Sequence, residues 1–358
     1  MKFLFIEPFF GGSHREFARG LVSSSVHHID LITLPARFWK WRMRGASLYL
    51  IKKIESLECY DGLICTNLMS LADFKALSGK FFPPAVVYFH ENQITYPLAS
   101  GEHRDFQFGF TDITTALAAD RVIFNSKTHF NAFFSKLPAF LKMMPEFLPV
   151  WVTEEIRAKS TVIYPGCMFD AEPDFSLKND LPPLIIWNHR WEFDKNPSSF
   201  FSALDALLEK GLDFRLALVG ENFQKVPKDF LAAKEKYKGK IIQYGFIESR
   251  EKYFNLLARG AVVISTANQE NFGMSIVEAV RYGCIPLLPD RLSYPEIIPD
   301  SFHKDFLYKS QEELMEKLIS VIINYPCFQD HMKSLSNKMD SFAWENIIDE
   351  YDTELENL

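Results

Sequence analysis

Residues 269–279 read Gln-Glu-Asn-Phe-Gly-Met-Ser-Ile-Val-Glu-Ala, and they predict more about the fold than any other stretch. Gly273 permits a tight turn, and Met274 opens an apolar helix that carries Glu278. Glu270 then lies in a loop, and Glu278 lies about one turn into the helix. An ionised carboxylate only accepts hydrogen bonds, so a pair of neighbouring hydroxyl groups is its natural partner. The two acids predict a diol-binding site, although an acid near a helix start is also common without a ligand.

The residues that follow predict how this helix ends. Residues 281–283 read as a helix end with a glycine stop, and 285–288 as a buried strand. Short apolar runs alternate with helical runs along the whole chain, which predicts an α/β fold with parallel sheets covered on both faces. In the second half, strands are predicted at 184–188, 214–219, 241–245, 262–265 and 285–288, and helices at 198–210, 228–238, 250–259, 274–282 and 311–323.

The first half shows the same alternation. Strands are predicted at 2–7, 29–34, 62–66, 85–90, 121–125 and 161–164, and helices at 15–24, 46–58, 69–77, 111–118 and 127–140. We expect one domain over residues 1–165, a linker at 166–183 and a second domain over 184–340. Residues 341–358 predict a C-terminal helix. Its periodicity leaves open whether the helix returns to the first domain or stays on the second.

Composition excludes several classes of protein. The 358 residues suffice for two domains with their own cores. The apolar runs are too short for a membrane-spanning helix, and acid and proline interrupt the first run too early for a secretory signal. Five scattered cysteines without a Cys-x-x-Cys motif argue against a disulfide framework or zinc site and fit the cytoplasm. A net charge of −7 disfavours a generally basic nucleic-acid binder but allows a local basic patch.

Polar and basic residues follow the predicted strand 184–188. Asn188 ends the strand, and Arg190 and Lys195 precede the next helix, where ligands of open α/β sheets bind. A guanidinium fork and an ammonium can stabilise the charge that develops on a diphosphate leaving group. The sequence has no Asp-x-Asp motif, which favours stabilisation by these cations without a metal. The alternative is that both charges are merely solvated.

Two clusters follow strands of the first domain. Gly11 and Gly12 let backbone amides approach a ligand, and we expect Ser13 to cap the next helix, whose start attracts phosphate. His90 ends another apolar strand, and Glu91 follows it. Polar side chains at a strand end need partners, which a ligand or the protein itself can supply.

The pattern of Glu270, Glu278, Gly283 and Pro286 resembles the retaining nucleotide-sugar transferases of glycosyltransferase family 4. The resemblance implies the GT-B fold, in which two Rossmann-like α/β domains face a central cleft. It implies that Glu270 contacts the transferred sugar and that Glu278 holds the ribose of the donor.

The same resemblance implies the remaining donor-site roles. The catalytic candidates are His90, Arg190, Lys195 and Glu270. The donor-binding candidates are Gly11, Gly12, Ser13, Asn188, Arg190, Lys195, Asn271, Phe272, Gly273, Met274 and Glu278. The resemblance implies a nucleotide sugar as the donor substrate, and no metal or other cofactor is expected.

Five segments of the first domain carry a closer resemblance. They are residues 10–14, 34–45, 89–97, 107–111 and 124–130. Together they resemble the tRNA-queuosine α-mannosyltransferase family over residues 1–170. The resemblance implies transfer of mannose from GDP-mannose, with retention, to the cyclopentene diol of queuosine in the anticodon of tRNA(Asp). The acceptor-binding candidates are His14, Trp39, Trp41, Arg42, Arg44, Glu91 and Asn92.

A basic island in residues 35–53 bears on the acceptor. It contains Arg37, Lys40, Arg42, Arg44, Lys52 and Lys53 and no acid, with two tryptophans between the charges. Basic groups anchor RNA phosphates, and aromatic rings stack on unpaired bases. Two alternatives stay open: an anionic membrane surface carrying a lipid acceptor, or an internally packed helix with its charges outward. A catalytically silent binding module is disfavoured because Arg190, Lys195, Glu270 and Glu278 are all present.

Overall fold

The computed structural model describes residues 1–79, 81–99, 101–170, 172–179, 181–221 and 226–358. The described chain divides into two compact units. The first comprises Met1–Met168 and Phe342–Leu358, and the second comprises Phe169–Ser341. Each unit holds a six-stranded sheet with parallel neighbours, which confirms the predicted α/β class.

The sheet of the first unit has the strand order β2-β1-β3-β4-β5-β6. Its strands are β1 Lys2–Phe10, β2 His28–Pro35, β3 Gly62–Thr66, β4 Ala85–Phe89, β5 Arg121–Phe124 and β6 Ser160–Val162. Its helices are α1 Gly12–Ser24, α2 Trp39–Leu50, α3 Leu71–Leu77, α4 Phe106–Ala118, α5 Lys127–Leu141 and α6 Val152–Ala158. The central strands are buried throughout because helices cover both faces. The strand order reverses direction between β1 and β3, which makes their carboxyl ends the expected ligand position.

The sheet of the second unit has the strand order β12-β11-β10-β7-β8-β9. Its strands are β7 Leu184–Trp187, β8 Arg215–Leu218, β9 Ile241–Tyr244, β10 Val262–Ile264, β11 Ile285–Pro289 and β12 Leu307–Tyr308. Its helices are α7 Pro197–Glu209, α8 Lys228–Lys236, α9 Arg250–Arg259, α10 Met274–Arg281, α11 Tyr294–Ile297, α12 Asp300–Phe306, α13 Gln311–Ile323 and α14 Gln329–Met339. This is the doubly wound order of dinucleotide-binding domains, with its switch point between β7 and β10.

The basic island forms a helix, which corrects the predicted bounds. The sequence predicted a helix at 46–58, whereas α2 spans Trp39–Leu50. Met43, Ala46 and Leu50 are buried along this helix, and their spacing forms one apolar face. A second helix also begins earlier than predicted: α4 starts at Phe106, because the Asp105 side chain accepts a hydrogen bond from the amide of Gln107.

The C-terminal helix α15, Trp344–Glu356, belongs to the first unit. Asp352 accepts hydrogen bonds from Ser25 Oγ at 2.5 Å and from the amide of Val26 at 3.1 Å. The hydroxyl of Tyr351 donates to the carbonyl of Tyr164 at 3.0 Å. The helix thus closes the first unit with both polar and apolar contacts.

We expect Gly20→Ala to destabilise the first unit. A Cβ atom at Gly20 in α1 would overlap the indole of Trp344, so the substitution overpacks this contact. Overpacking of this kind costs about 1–3 kcal/mol of the free energy of unfolding, measurable by urea denaturation. Gly45→Ala in α2 is the matched control, because a Cβ atom there meets nothing within 4 Å. The control should gain about 0.5–1 kcal/mol, and equal effects of both variants would contradict the close contact.

Much of the predicted linker packs into the second unit. Lys178 is buried and donates to the carbonyls of Leu257 and Gly260 at 2.9 and 2.6 Å. Ala171 and Asp180, which also fall in the predicted linker, lie outside the described residues. The contacts of Lys178 tie this segment to the end of α9.

Candidate active site

Lys195 and Glu270 meet at the switch point of the second sheet. Lys195 Nζ lies 3.2 Å from Glu270 Oε2 and 3.2 Å from Asp194 Oδ2, and it donates to the carbonyl of Gln269 at 2.7 Å. The Lys195 side chain is 8% exposed and the Glu270 side chain 19% exposed. The two predicted residues therefore form a nearly buried ion pair that a ligand can still reach through Glu270.

Hydrogen bonds clamp the loop after β10 to the segment after β7. Thr266 Oγ1 donates to the carbonyls of Lys195 and Asn196 at 2.9 and 2.8 Å, and the amide of Asn268 donates to the carbonyl of Asp194 at 2.7 Å. Because these backbone contacts fix both segments, the ion pair is positioned before any ligand binds. Asp194, with its side chain fully buried, is a site residue that the sequence did not predict.

The charges of this cluster stabilise one another. Burial acts to raise the pKa of Glu270, but Lys195, His189 and Arg190 hold it below its ordinary value. Burial acts to lower the pKa of Lys195, but Glu270 and Asp194 hold it above its ordinary value. The ammonium and the carboxylate are therefore both charged at neutral pH.

Glu278 lies beside Tyr253 of α9, and Tyr253 contacts Asn188, the residue after β7. The residue is buried on α10, and its charge, together with burial, raises the pKa of Tyr253 well above its ordinary value. Asn188 Nδ2 lies 3.2 Å from the Tyr253 hydroxyl and donates to the carbonyl of Ser275 at 2.7 Å. Asn188, Tyr253 and Glu278 thus form a second polar group near the start of α10, and Tyr253 was not predicted from the sequence.

The residues between the two glutamates shape the backbone. Gly273 adopts the left-handed conformation with φ +101° and precedes α10, as predicted. Phe272 is buried, and its carbonyl accepts a hydrogen bond from Ser293 Oγ at 2.6 Å. Asn271 Oδ1 accepts from Gln269 Nε2 at 2.9 Å, and Met274 is the partly buried first residue of the helix.

Arg190 stands apart from the buried pair. Its side chain is 39% exposed and lies 3.5 Å from Glu192 Oε2. Its charge nevertheless contributes to the lowered pKa of Glu270. Arg190 is therefore the accessible cation of this site, and Lys195 is the enclosed one.

In the first unit, His14 and His90 lie together against a buried acid, Glu7. Glu7 Oε2 is 3.2 Å from His14 Nδ1 and 3.9 Å from His90 Nε2, and the two imidazole rings are 3.8 Å apart. Glu7 was missed as a site residue. A fully buried acid inside an apolar strand was the available signal, because such a group needs strong partners.

The glycine turn before α1 has a different cap from the predicted one. Gly11 is the N-cap residue and makes no side-chain cap. Ser13 lies two residues after this cap position and is exposed on the helix. Gly11 is required because a Cβ atom there would overlap the Cβ atom of Ala36, and Gly12 has φ +50°. The turn therefore depends on its glycines, and the predicted serine cap is wrong.

The segment after β4 is fixed by buried polar contacts. Asn92 is 1% exposed, and its Oδ1 accepts from the amides of Ile94 and Thr95 at 3.1 and 2.8 Å. Asn67 Nδ2 donates to the carbonyl of Glu91 at 2.7 Å. Asn92 thus shapes the turn, while the Glu91 side chain is only partly buried.

Helix α2 separates the two predicted tryptophans. Trp39 packs on Phe108 with ring centroids 5.2 Å apart, whereas Trp41 is 76% exposed. Arg44 is exposed and donates to Thr111 Oγ1 at 3.0 Å, and Arg42 donates to the carbonyl of Pro35 at 3.2 Å. Among the acceptor-binding candidates of α2, Trp41 and Arg44 are exposed, whereas Trp39 and Arg42 are partly buried.

Comparison with solved structures supports the architecture. A sucrose-phosphate synthase from Thermosynechococcus elongatus superposes with a TM-score of 0.77 at 14% identity, covering 100% of this chain and 99% of that one. Anabaena Alr3699/HepE, solved with UDP, superposes with a TM-score of 0.67 at 18% identity over the full length of both chains. The predicted GT-B class, built from two parallel-sheet α/β domains, is confirmed.

Sequence comparison identifies the family. Residues 2–167 match the model described as tRNA-queuosine alpha-mannosyltransferase N-terminal, and residues 168–339 match that of glycosyl transferases group 1. The tRNA-queuosine alpha-mannosyltransferase of Drosophila melanogaster is 37% identical over 326 residues, which cover 88% of this chain and 85% of the relative. The chain therefore belongs to the tRNA-queuosine alpha-mannosyltransferase family and is a glycosyltransferase.

Proposed function

We propose that this protein transfers mannose from GDP-mannose, with retention, to queuosine in the anticodon of tRNA(Asp). The match of residues 2–167 to the N-terminal model of the tRNA-queuosine enzymes carries the proposal. That match covers all of the acceptor-binding candidates, so it bears on the acceptor. The name of the Drosophila relative supports the same reaction.

On the donor side, the charges near β7 and β10 suit a nucleotide diphosphate. Glu270 contacts the transferred sugar, and Glu278 holds the ribose through its diol. Arg190 binds the diphosphate because it is the accessible cation. Lys195 stays within the buried cluster and stabilises the diphosphate through its positive charge. This division follows from the exposed fractions of the two side chains, 39% for Arg190 and 8% for Lys195.

The two cations take the place of a metal ion in this proposal. Both can offset the negative charge that develops on the departing diphosphate. We therefore expect transfer to continue after dialysis against EDTA, measured as sugar incorporated into tRNA. Loss of transfer that added Mg²⁺ or Mn²⁺ restores would contradict this assignment.

On the acceptor side, we assign the outer face of α2 to the RNA. Trp41 offers an exposed ring for stacking, and the exposed Arg44 offers a charge for phosphate. Trp39 supports the helix from the inside through Phe108. This face concentrates positive charge on an otherwise acidic protein.

The double substitution Trp41→Ala/Arg44→Ala tests this surface. We expect the Kd for tRNA to rise about 10- to 100-fold, because one stacked base contributes about 1–3 kcal/mol. Binding of GDP-mannose should not change. Filter binding for tRNA and calorimetry for the nucleotide sugar measure the two affinities.

A second exposed pair of the same residue types supplies the control. Trp151 is 59% exposed, and Arg157, on α6 of the same unit, has a side chain 42% exposed. Trp151→Ala/Arg157→Ala should leave tRNA binding unchanged. An unchanged Kd in the α2 variant, or equal losses in both variants, would move the acceptor surface elsewhere.

A lipid acceptor at a membrane surface is the second candidate, favoured by the same basic and aromatic face of α2. No helix in the described ranges is long and apolar enough to cross a bilayer. Incubation with radiolabelled GDP-mannose, tRNA containing queuosine, tRNA lacking it and anionic liposomes separates the acceptors. The proposal predicts label only in queuosine-containing tRNA, and label in liposome lipid would favour the alternative.

A further inference from the structure

Phe38, the residue before α2, combines two features that are each unfavourable for a phenylalanine. Its side chain is 69% exposed, although phenylalanine is among the residues that are most often buried. Its backbone is left-handed, with φ +56° and ψ +51°. Glycine and asparagine adopt this conformation more readily, because a bulky side chain crowds the backbone there. The stability of the fold alone would therefore favour a glycine or an asparagine at this position.

The left-handed conformation is enforced by hydrogen bonds on both sides of Phe38. Its carbonyl accepts from the amides of Trp41 and Arg42 at 2.9 and 3.1 Å, at the start of α2. The carbonyl of Pro35 accepts from the amide of Arg37 at 2.8 Å and from Arg42 Nη2 at 3.2 Å. None of these contacts uses the Phe38 ring. Unfavourable backbone conformations that are enforced in this way are frequent at ligand-binding positions.

The surroundings of the Phe38 ring are basic. Residues 35–53 contain six lysines and arginines and no acid. The guanidinium carbon of Arg37 lies 5.9 Å from the centroid of the ring. Unpaired nucleotides suit such a surface, because each base offers a flat face and each phosphate a negative charge. The match of residues 2–167 to the tRNA-queuosine enzymes favours RNA over an anionic lipid as the occupant.

Phe38 continues the exposed side of α2 towards the start of the helix. Phe38, Trp41 and Arg44 follow one another at intervals of three residues, and all three are exposed. Three residues advance a helix by about 4.5 Å and leave the side chains on the same side. The exposed side of α2 therefore carries two aromatic rings and then a positive charge in one line.

We propose that Phe38 is a second base-stacking residue for the acceptor tRNA, and that it receives an unpaired base next to the one that Trp41 receives. This inference rests on the proposed transfer to tRNA and extends the RNA surface assigned to α2. A ring stands at this position, in spite of its unfavourable backbone, because it binds the RNA.

Phe38→Gly in the full-length protein tests the inference. Glycine removes the ring and adopts the left-handed conformation readily, so the melting temperature should stay unchanged or rise by about 1–4 °C. The Kd for queuosine-containing tRNA, measured by filter binding, should rise about 5- to 100-fold because one stacked base is lost. The KM for GDP-mannose should not change. A fall in melting temperature would assign the ring a structural role and overturn the inference.

Phe147 supplies a matched control in the same unit. It is 87% exposed and left-handed, with φ +53°, and it lies between α5 and α6. Phe147→Gly removes the same ring from the same backbone conformation and should leave the Kd for tRNA unchanged. An unchanged Kd in Phe38→Gly, or equal losses in both variants, would overturn the inference.

Two further substitutions of Phe38 separate stacking from a general apolar contact. Phe38→Tyr keeps a flat ring and should bind tRNA with a Kd within about twofold of the wild-type value. Phe38→Leu keeps an apolar side chain without a flat face and should lose as much affinity as Phe38→Gly. Wild-type affinity in Phe38→Leu would show that the ring does not stack on a base.

The wild-type protein distinguishes failure of this inference from failure of the proposed function. If the wild-type protein transfers hexose to queuosine-containing tRNA while Phe38→Gly binds that tRNA normally, only the role of Phe38 is wrong. If the wild-type protein neither binds nor modifies the tRNA, the proposed function is wrong as well.

Discussion

Glu270→Gln is expected to lower the rate of hexose transfer by about 10²- to 10³-fold while the protein stays folded. The amide keeps the shape of the side chain and an oxygen that can accept from Lys195, 3.2 Å away in the native protein. It removes the negative charge that, in the proposed mechanism, lies beside the sugar as positive character develops at the anomeric carbon. The loss should therefore appear in kcat, measured as initial rates of transfer to tRNA.

A glutamate on an exposed face gives the control. Glu316 lies on α13 of the same unit and is exposed. Glu316→Gln should transfer hexose at the wild-type rate. Full activity of Glu270→Gln at an unchanged melting temperature would remove Glu270 from the active site.

Lys195→Met is expected to destabilise the second unit by about 3–5 kcal/mol, besides ending transfer. The substitution leaves Asp194 fully buried without its cation, and Glu270 loses its partner. An unpaired buried carboxylate lowers the free energy of unfolding by more than the intact ion pair raises it. Urea denaturation, monitored by hydrogen exchange in peptides that cover β10 and α10, measures the loss in the free energy of unfolding.

A double variant separates stability from activity. Asp194→Asn/Lys195→Met removes the more deeply buried of the two unpaired carboxylates, so it should regain most of the lost stability but none of the activity. If Lys195→Met unfolds at the same urea concentration as the wild-type protein, Asp194 and Glu270 are not the buried charged groups that their contacts with Lys195 imply. If the double variant regains transfer, Lys195 is not part of the donor site.

The cluster that we propose to bind the donor was predictable in its geometry because local rules determine it. Gly273 needs its left-handed conformation for the turn, and the apolar run after it needs a helix, so Glu270 and Glu278 follow in place. Lys195 follows β7 and Glu270 follows β10, so the switch point between these two strands brings the side chains together. Tyr253 was missed because its importance comes from its contact with Asn188, 65 residues away in sequence, which no spacing rule encodes. Asp194 was missed because its importance comes from the complete burial of its side chain beside Lys195, which the sequence does not show.

The first unit shows where sequence patterns are insufficient. The pattern of α2 treated Trp39 and Trp41 alike, but helix geometry turns the first onto Phe108 and leaves the second exposed. The attachment of α15 depends on the absence of a side chain at Gly20, where Trp344 approaches closely. Glu7 reads as an interruption of an apolar strand until the fold places His14 beside it.

Mass spectrometry of nucleosides from queuosine-containing tRNA(Asp), incubated with this protein and GDP-mannose, tests the central claim most directly. Parallel reactions with UDP-glucose, UDP-galactose and tRNA lacking queuosine give the donor and acceptor controls. The account predicts one hexose on queuosine with GDP-mannose and unmodified queuosine in the Glu270→Gln reaction. Queuosine that stays unmodified with every donor would contradict the proposed acceptor, and a hexose from a UDP-sugar alone would contradict the proposed donor.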